Sequence, residues 1–329
     1  MKKKIKFGIV GCSRIAENST LPAIIQSSKA EISMIGSRDT EKAKRFGKKF
    51  NCTQYGTYDD VLENDDVDAV YISVPVGLHE KWTLKSAKSG KHILCEKSST
   101  DSYISAKKMI LTSKRNNVRL MEGLMFRHHP SHKRVKQLIV TKLGQIYKFY
   151  GQYGFPSIPY SDIRYKKNLG GGVFNDVACY PISASRFIFE KEPEEVFGTF
   201  EINKKYQIDT KASITLKFSD KEIAHMSVGY DLHYQSFYSL WGNKGHLHLS
   251  RSYNIPPTMN PTIRLDVNGR EKILSTKPAN HFVLMINSFC NELLDIQKSD
   301  FNFENDLLQQ AKIMDAIRKS VKNHKSVSV

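Results

Sequence analysis

Glu96 and Lys97 stand at the end of an apolar run, Ile93-Leu94-Cys95. Ser89-Gly90 before the run and Ser98-Ser99 after it bracket a short buried strand. Such a strand sets an ammonium at the carboxyl edge of a sheet, where open α/β sheets bind ligands. A lysine there is a candidate proton donor, whereas an isolated pair of this kind would read as a surface ion pair. Farther along, Gly170-Gly171-Gly172 runs into an expected helix that carries Asp176 and Tyr180. Four residues apart, the carboxylate and the phenol share one helix face, where they can bind hydroxyl groups and relay a proton. Taken alone, the segment reads equally well as a helix start with a buried, hydrogen-bonded tyrosine.

A third group lies near the N-terminus. Gly8-Ile9-Val10-Gly11-Cys12-Ser13-Arg14-Ile15-Ala16 falls between an expected strand and an expected helix and follows the dinucleotide fingerprint. Gly11 permits the tight turn and Ala16 permits close helix–strand packing, while Ser13 occupies the usual second glycine and offers a hydroxyl to phosphate. The helix start supplies N–H groups and a positive dipole end for an anion. Gly8, Gly11, Cys12, Ser13, Arg14 and Ile15 are therefore expected to bind the cofactor. At the tip of the second strand, Ser37 and Arg38 suit a 2′-phosphate, since an arginine fork fits phosphate geometry. Asp39 leaves a ribose-hydroxyl partner open, so NADP is favoured and NAD is the alternative.

These groups need elements to hold them. From Ile5 to Glu122 strands and helices alternate, and Ala69–Val74 is apolar or β-branched enough to be a central parallel strand. After residue 123 the pattern changes to long strands, among them Ile146–Tyr153, Ala212–Phe218, Ile223–Tyr230 and Gln235–Gly242, with closing helices at Asn280–Gln297 and Asn305–Asn323. The expected fold is α/β, with a doubly wound parallel sheet in residues 1–122 and an α+β domain with a mostly antiparallel sheet in 123–329. The length of 329 residues suits two domains, and 40% hydrophobic with 25% charged residues suits a globular chain.

No apolar stretch approaches the ~18 residues of a membrane span. The basic start Met1-Lys2-Lys3-Lys4-Ile5-Lys6 lacks the apolar core of a signal peptide. The five cysteines, Cys12, Cys52, Cys95, Cys179 and Cys290, are scattered without a CxxC spacing, so no disulfide framework or metal site is expected and a reducing cytoplasm fits. The net charge of +17 attracts anions, phosphorylated cofactors and nucleotide-linked substrates among them. Most of the basic residues read as solvated helix faces, and no helix-turn-helix, zinc or RNP-type signal supports nucleic-acid binding.

With Met121-Glu122-Gly123-Leu124-Met125-Phe126-Arg127-His128-His129-Pro130 and the Gly-Gly-Gly…Asp…Cys-Tyr-Pro helix, these motifs resemble the glucose–fructose oxidoreductase/inositol dehydrogenase family (Gfo/Idh/MocA), in the family's order and over nearly the whole chain. The resemblance implies an N-terminal Rossmann domain and a C-terminal domain whose large open sheet serves as the face of a homodimer or homotetramer. It implies NAD(P)-dependent oxidation or reduction of a sugar-like carbinol or ketone. It adds Val74, Pro75, His79, Glu96, Lys97 and Arg127 to the cofactor set, and names Lys97, Arg164, Asp176 and Tyr180 for the substrate. Lys97, Tyr180 and Asp176 become the catalytic set.

Two departures stand out. Ser98 replaces the family's proline after the lysine, and Tyr180 replaces its frequent histidine, which exchanges an acid titrating near neutrality for one near ~10. The expected reaction moves a hydride between nicotinamide C4 and a carbon bearing a sugar hydroxyl or keto group, with Tyr180 and Lys97 meeting one substrate oxygen. A cofactor-binding sensor or regulator without turnover is the alternative, favoured by the loss of the proline.

Overall fold

A computed structural model describes residues 3–296, 298 and 302–329; Met1, Lys2 and Gln297, which the expectations above include, lie outside the described residues. The chain forms two compact units: the stretch up to Met125 with Phe282–Leu308, and Phe126–His281 with Gln309–Val329.

In the first unit the elements are β1 (Ile5–Val10), α1 (Leu21–Gln26), β2 (Ala30–Gly36), α2 (Thr40–Lys49), β3 (Gln54–Gly56), α3 (Tyr58–Glu63), β4 (Ala69–Ile72), α4 (His79–Lys88), β5 (His92–Cys95), α5 (Tyr103–Arg115) and β6 (Leu120–Glu122). The sheet is parallel throughout, in the order β3-β2-β1-β4-β5-β6. The order reverses at β1 and β4, and the crevice beyond their carboxyl ends is where such sheets take ligands. All four residues of β4 are buried, as its apolar run requires of a strand covered on both faces. Side-chain caps start the helices: Asp39 for α2, a Thr57–Asp60 capping box for α3 and Ser102 for α5. The returning segment completes this unit. Phe289 meets Phe7 at 6.2 Å between ring centroids, and Arg119 pairs with Glu292 (2.6 Å) and Glu304 (2.9 Å).

The second unit opens with α6 (Pro130–Leu138), β7 (Ile146–Phe155), α7 (Cys179–Phe189), β8 (Glu195–Asn203), β9 (Ile208–Lys217), β10 (Ile223–Tyr230), β11 (Gln235–Gly242), β12 (Gly245–Ser250), β13 (Thr262–Val267) and β14 (Arg270–Ser275). Past the second unit's sheet, α8 (His281–Leu293) and the start of α9 (Phe303–Asn323) fall in the segment that belongs to the first unit, and the rest of α9 and β15 (Val327–Ser328) belong to the second. Nine strands form one sheet, β14-β13-β12-β11-β7-β10-β9-β8-β15, antiparallel except for the β7–β10 pair. Its inner face carries buried Phe149, Tyr238, Leu240 and Leu249. Its outer face leaves Tyr150, Phe197 and Trp241 exposed at 38, 39 and 59%.

The helices here differ from expectation at their ends. α6 starts two residues early because His129 caps it, accepting the Ser131 N–H, and Pro130 takes the first position, where no N–H is needed. The helix expected straight after the glycines begins instead with a wide π turn, Phe174–Ala178. A second π turn, Ala16–Thr20, precedes α1.

Candidate functional site

In the first unit, the loop after β1 turns at Gly11, whose φ is +116°. A Cβ there would sit 3.1 Å from the Ser73 carbonyl carbon and hydroxyl, so only glycine lets the loop pass β4 this closely. Ser73 Oγ donates to the Gly11 carbonyl (2.7 Å), tying the ends of β1 and β4 together. Ser13 Oγ accepts the Ala16 N–H at 3.1 Å, so it caps the helix while its own proton can still reach an anion. Arg14 and Ile15 are exposed at the loop's outer edge. A glycine-crossed loop opening a helix at the strand-order reversal fits a dinucleotide pyrophosphate.

The tip of β2 is positively charged. Ser37 is buried and its backbone N–H is fixed on the Gly56 carbonyl (3.0 Å), while Arg38 is exposed. The Arg38 guanidinium lies against the Tyr58 phenol. Burial pushes the Cys12 thiol up to about 11, while Lys42 and the Ser37 hydroxyl act on it in the opposite direction, which sets Lys42 near the same spot. Asp39 accepts the Lys42 N–H (3.1 Å) as the cap of α2.

At the end of β5, Glu96 is 7% exposed and is no surface ion-pair partner. Burial raises its carboxyl above the ordinary range, opposed by the Tyr71 phenol, which donates at 2.6 Å. Lys97 follows, half-buried, and the Lys97–Ser98 peptide is cis. The segment is held from below. Ser99 N–H donates to Glu122 (2.8 Å), and the His79 ring lies between the Ser98 carbonyl (3.0 Å) and the Val74 carbonyl (2.7 Å). Burial lowers the His79 pKa while those carbonyls pull it up. His79 thus sits between Val74 and Ser98; the neutral ring donates to one of the two carbonyls, and the imidazolium would donate to both. Pro75 leads from β4 into the turn before α4.

In the second unit, Asp176 sits in the wide turn before α7, where Arg164 Nε donates to its Oδ2 at 2.6 Å and the Tyr230 hydroxyl reaches the same oxygen at 3.4 Å. The Asp176 charge, foremost, raises the Arg164 pKa, against burial. Tyr180 is 4% exposed and packs on Tyr153 (5.3 Å), Phe126 (5.9 Å) and Tyr253 (5.9 Å). Burial raises the Tyr153 phenol, and the charges of Asp176 and Arg164 both reach it, which links the Tyr180 and Asp176 surroundings.

The glycines approach protein. A Cβ on Gly172, at φ +117°, would collide with the Asp209 carboxylate, which accepts the Phe174 N–H at 2.5 Å and so caps the turn carrying Asp176. Arg127, placed with the cofactor residues by resemblance, has its guanidinium 5.8 Å from the Phe187 ring centroid. Tyr71, Thr20, Lys42, Tyr153 and Asp209 were missed from the sequence; only the tyrosine inside an apolar buried strand carried a readable signal. Among the described residues no cluster of three or more His, Cys, Asp or Glu could hold a metal, and no helix is long and apolar enough to cross a membrane.

Comparison with known proteins agrees with this arrangement. A dTDP-3,4-didehydro-2,6-dideoxy-alpha-D-glucose 3-reductase of Saccharopolyspora spinosa is 30% identical over 324 residues, covering 96% of this chain and 97% of its own. The D-xylose 1-dehydrogenase (NADP(+)) 2 of Haloferax volcanii is 31% identical over 286 residues, covering 86 and 87%. The crystal structure of a 3-ketoreductase from Actinomadura kijaniata in complex with NADP and TDP-benzene superimposes with a TM-score of 0.93 at 29% identity, covering 97% of this chain and 98% of that one. Residues 5–124 match the oxidoreductase family with an NAD-binding Rossmann fold, and residues 132–248 match the GFO/IDH/MocA C-terminal domain. With both halves matched in order, the chain belongs to the GFO/IDH/MocA family of oxidoreductases.

Proposed function

We propose that the chain transfers a hydride between NADP(H) and a sugar-like carbinol or ketone, with a nucleotide-linked keto-sugar as substrate class. The observation that carries this reading is the end-to-end similarity to a dTDP-sugar 3-reductase, with an NADP-dependent xylose dehydrogenase at comparable identity. The positive tip of β2 supports NADP over NAD. Ser37, Arg38 and Lys42 suit a 2′-phosphate, and Asp39 already serves as the cap of α2. The loop Gly8–Ile15 would carry the pyrophosphate, with Val74 and Pro75 beside it.

When bound, the nicotinamide supplies or takes the hydride. The chain handles the proton. Tyr180 gives or takes it at the substrate oxygen, and the Lys97 ammonium stabilises the negative charge that develops there. Asp176, held by Arg164, orients a neighbouring hydroxyl. All five cysteines are free, in keeping with action in a reducing cytoplasm. The exposed Tyr150, Phe197 and Trp241 on the outer sheet face support a homodimer or homotetramer.

The test is consumption of reduced nicotinamide with a panel of dTDP-linked keto-sugars, free aldoses and cyclitols. Turnover of a nucleotide-linked member, with NADPH preferred, supports the reading. Tight cofactor binding without turnover of any member replaces it with the regulator. Lys97→Ala, Tyr180→Phe and the double variant decide whether the two groups act together: combined losses well short of additive are expected for a shared oxygen, and strict additivity refutes it.

A further inference from the structure

The first unit contains a buried hydrogen-bonded line that the proposed chemistry leaves unused. Thr20 Oγ1 donates to the Tyr71 phenol oxygen at 2.9 Å, and the phenol donates to Glu96 Oε1 at 2.6 Å. The Lys97 backbone N–H donates to Glu96 Oε2 at 3.3 Å. Thr20 and Tyr71 are fully buried and Glu96 is 7% exposed. Thr20 ends the wide turn after the glycine loop, Tyr71 lies in β4, and Glu96 follows β5, so the line crosses from helix to strand end.

Each hydroxyl has one proton to give. With Thr20 donating to Tyr71, the phenol proton is left for the carboxyl group, and the Lys97 N–H takes its other oxygen. Donors thus converge on Glu96 from both sides, which suits a carboxylate. The charged or titratable groups facing Glu96 are the Lys97 ammonium, the Tyr71 phenol and the Cys95 thiol, and Glu122 acts on that thiol from β6.

We propose that Tyr71, backed by Thr20, is a positioning residue that holds Glu96 as the carboxylate, and that Glu96 in turn fixes Lys97 at the strand end. The inference rests on the catalytic role proposed for Lys97 but is read first by a measurement that needs no turnover. Without the phenol donor, only Lys97, through its ammonium and its N–H, opposes burial, and Glu96 takes up a proton. That proton shows as the carbonyl stretch of a protonated carboxyl in the infrared, assigned by its loss on Glu96→Gln.

At pH ~7 the parent protein is expected to lack this band, Tyr71→Phe to show it, and Tyr71→Phe with Glu96→Gln to lose it again. A band already present in the parent, or none in Tyr71→Phe, overturns the proposal. In turnover, Tyr71→Phe is expected to lower kcat roughly tenfold to a hundredfold. KM values should change little, and the acid limb of the pH profile should move upward by about one unit. Thr20→Val should act in the same direction and less. An unchanged kcat and profile in Tyr71→Phe would also overturn it. Failure of every sugar to react, with the infrared pattern as expected, removes the proposed function and leaves the hydrogen-bonded device standing.

Discussion

Lys97 gains its place from neighbours. Glu96 accepts its backbone N–H, the Ser98 carbonyl faces His79, and Ser99 is fixed on Glu122. Lys97→Ala should leave this scaffold intact and lower kcat by about 10²–10³-fold, the range of a lost donor to a developing negative charge, while cofactor affinity by fluorescence titration stays near the parent value. A fall in cofactor binding with unchanged kcat would move the residue out of the chemistry. The place of Glu96 and Lys97 at the end of β5 was legible because two charges closing an apolar run leave a mark in the sequence. The brace beneath them was not, because the His79 contacts join residues 5 and 19 apart through backbone oxygens that carry no residue type. Tyr71 likewise counts as one more apolar residue in β4 until its hydroxyl is placed.

Among the elements, the turn into α7 decides where Asp176 and Tyr180 point. Gly172 combines a left-handed φ with the Asp209 carboxylate packed where a side chain would go. Gly172→Ala should destabilise the second unit by ~1–3 kcal/mol in urea unfolding and cost activity beyond that, whereas Gly90→Ala, also at a left-handed φ but with open space around it, should cost stability through its backbone alone and leave activity unchanged. Strand positions followed from alternation and apolar runs, and the parallel sheet from the strand–helix rhythm. The π turns were not legible, since one extra residue per turn does not alter an apolar pattern enough to be seen.

The histidines around α6 set a pH response of this unit. Burial lowers His129 to about 4 and His132 and His281 to about 3, and each is 1% exposed. Against an ordinary value of ~6.5, the unfolded chain binds these protons first. Their stabilisation is intact above pH ~6.5 and is lost as the pH falls toward 4. Asp209, raised by burial, acts in the opposite sense but is one group against three. The urea midpoint should drop between pH 7 and 5 and drop less in His129→Gln; a flat midpoint would contradict neutral buried imidazoles.

For the molecule as a whole, the outer face of the nine-stranded sheet is the surface to test for assembly. In the proposed homodimer or homotetramer, Trp241→Glu should reduce the particle mass by light scattering to that of one chain without changing the far-UV spectrum; an unchanged mass would move the interface elsewhere, and a parent mass of one chain would refute the assembly. The two-part architecture was legible from the change of rhythm near residue 123, but the return of Phe282–Leu308 to the first unit was not, because contacts such as Phe7–Phe289 are invisible to local pattern. That return has a bearing on synthesis. Between Met125 and Leu308 the ribosome must add 308 − 125 = 183 residues, which at roughly 5–20 residues per second takes on the order of 9–37 s. For most of that interval the nascent Rossmann half lacks Phe289, Glu292 and Glu304, so its nucleotide-binding sheet waits for the tail of the chain, and premature termination yields an incomplete fold at both ends.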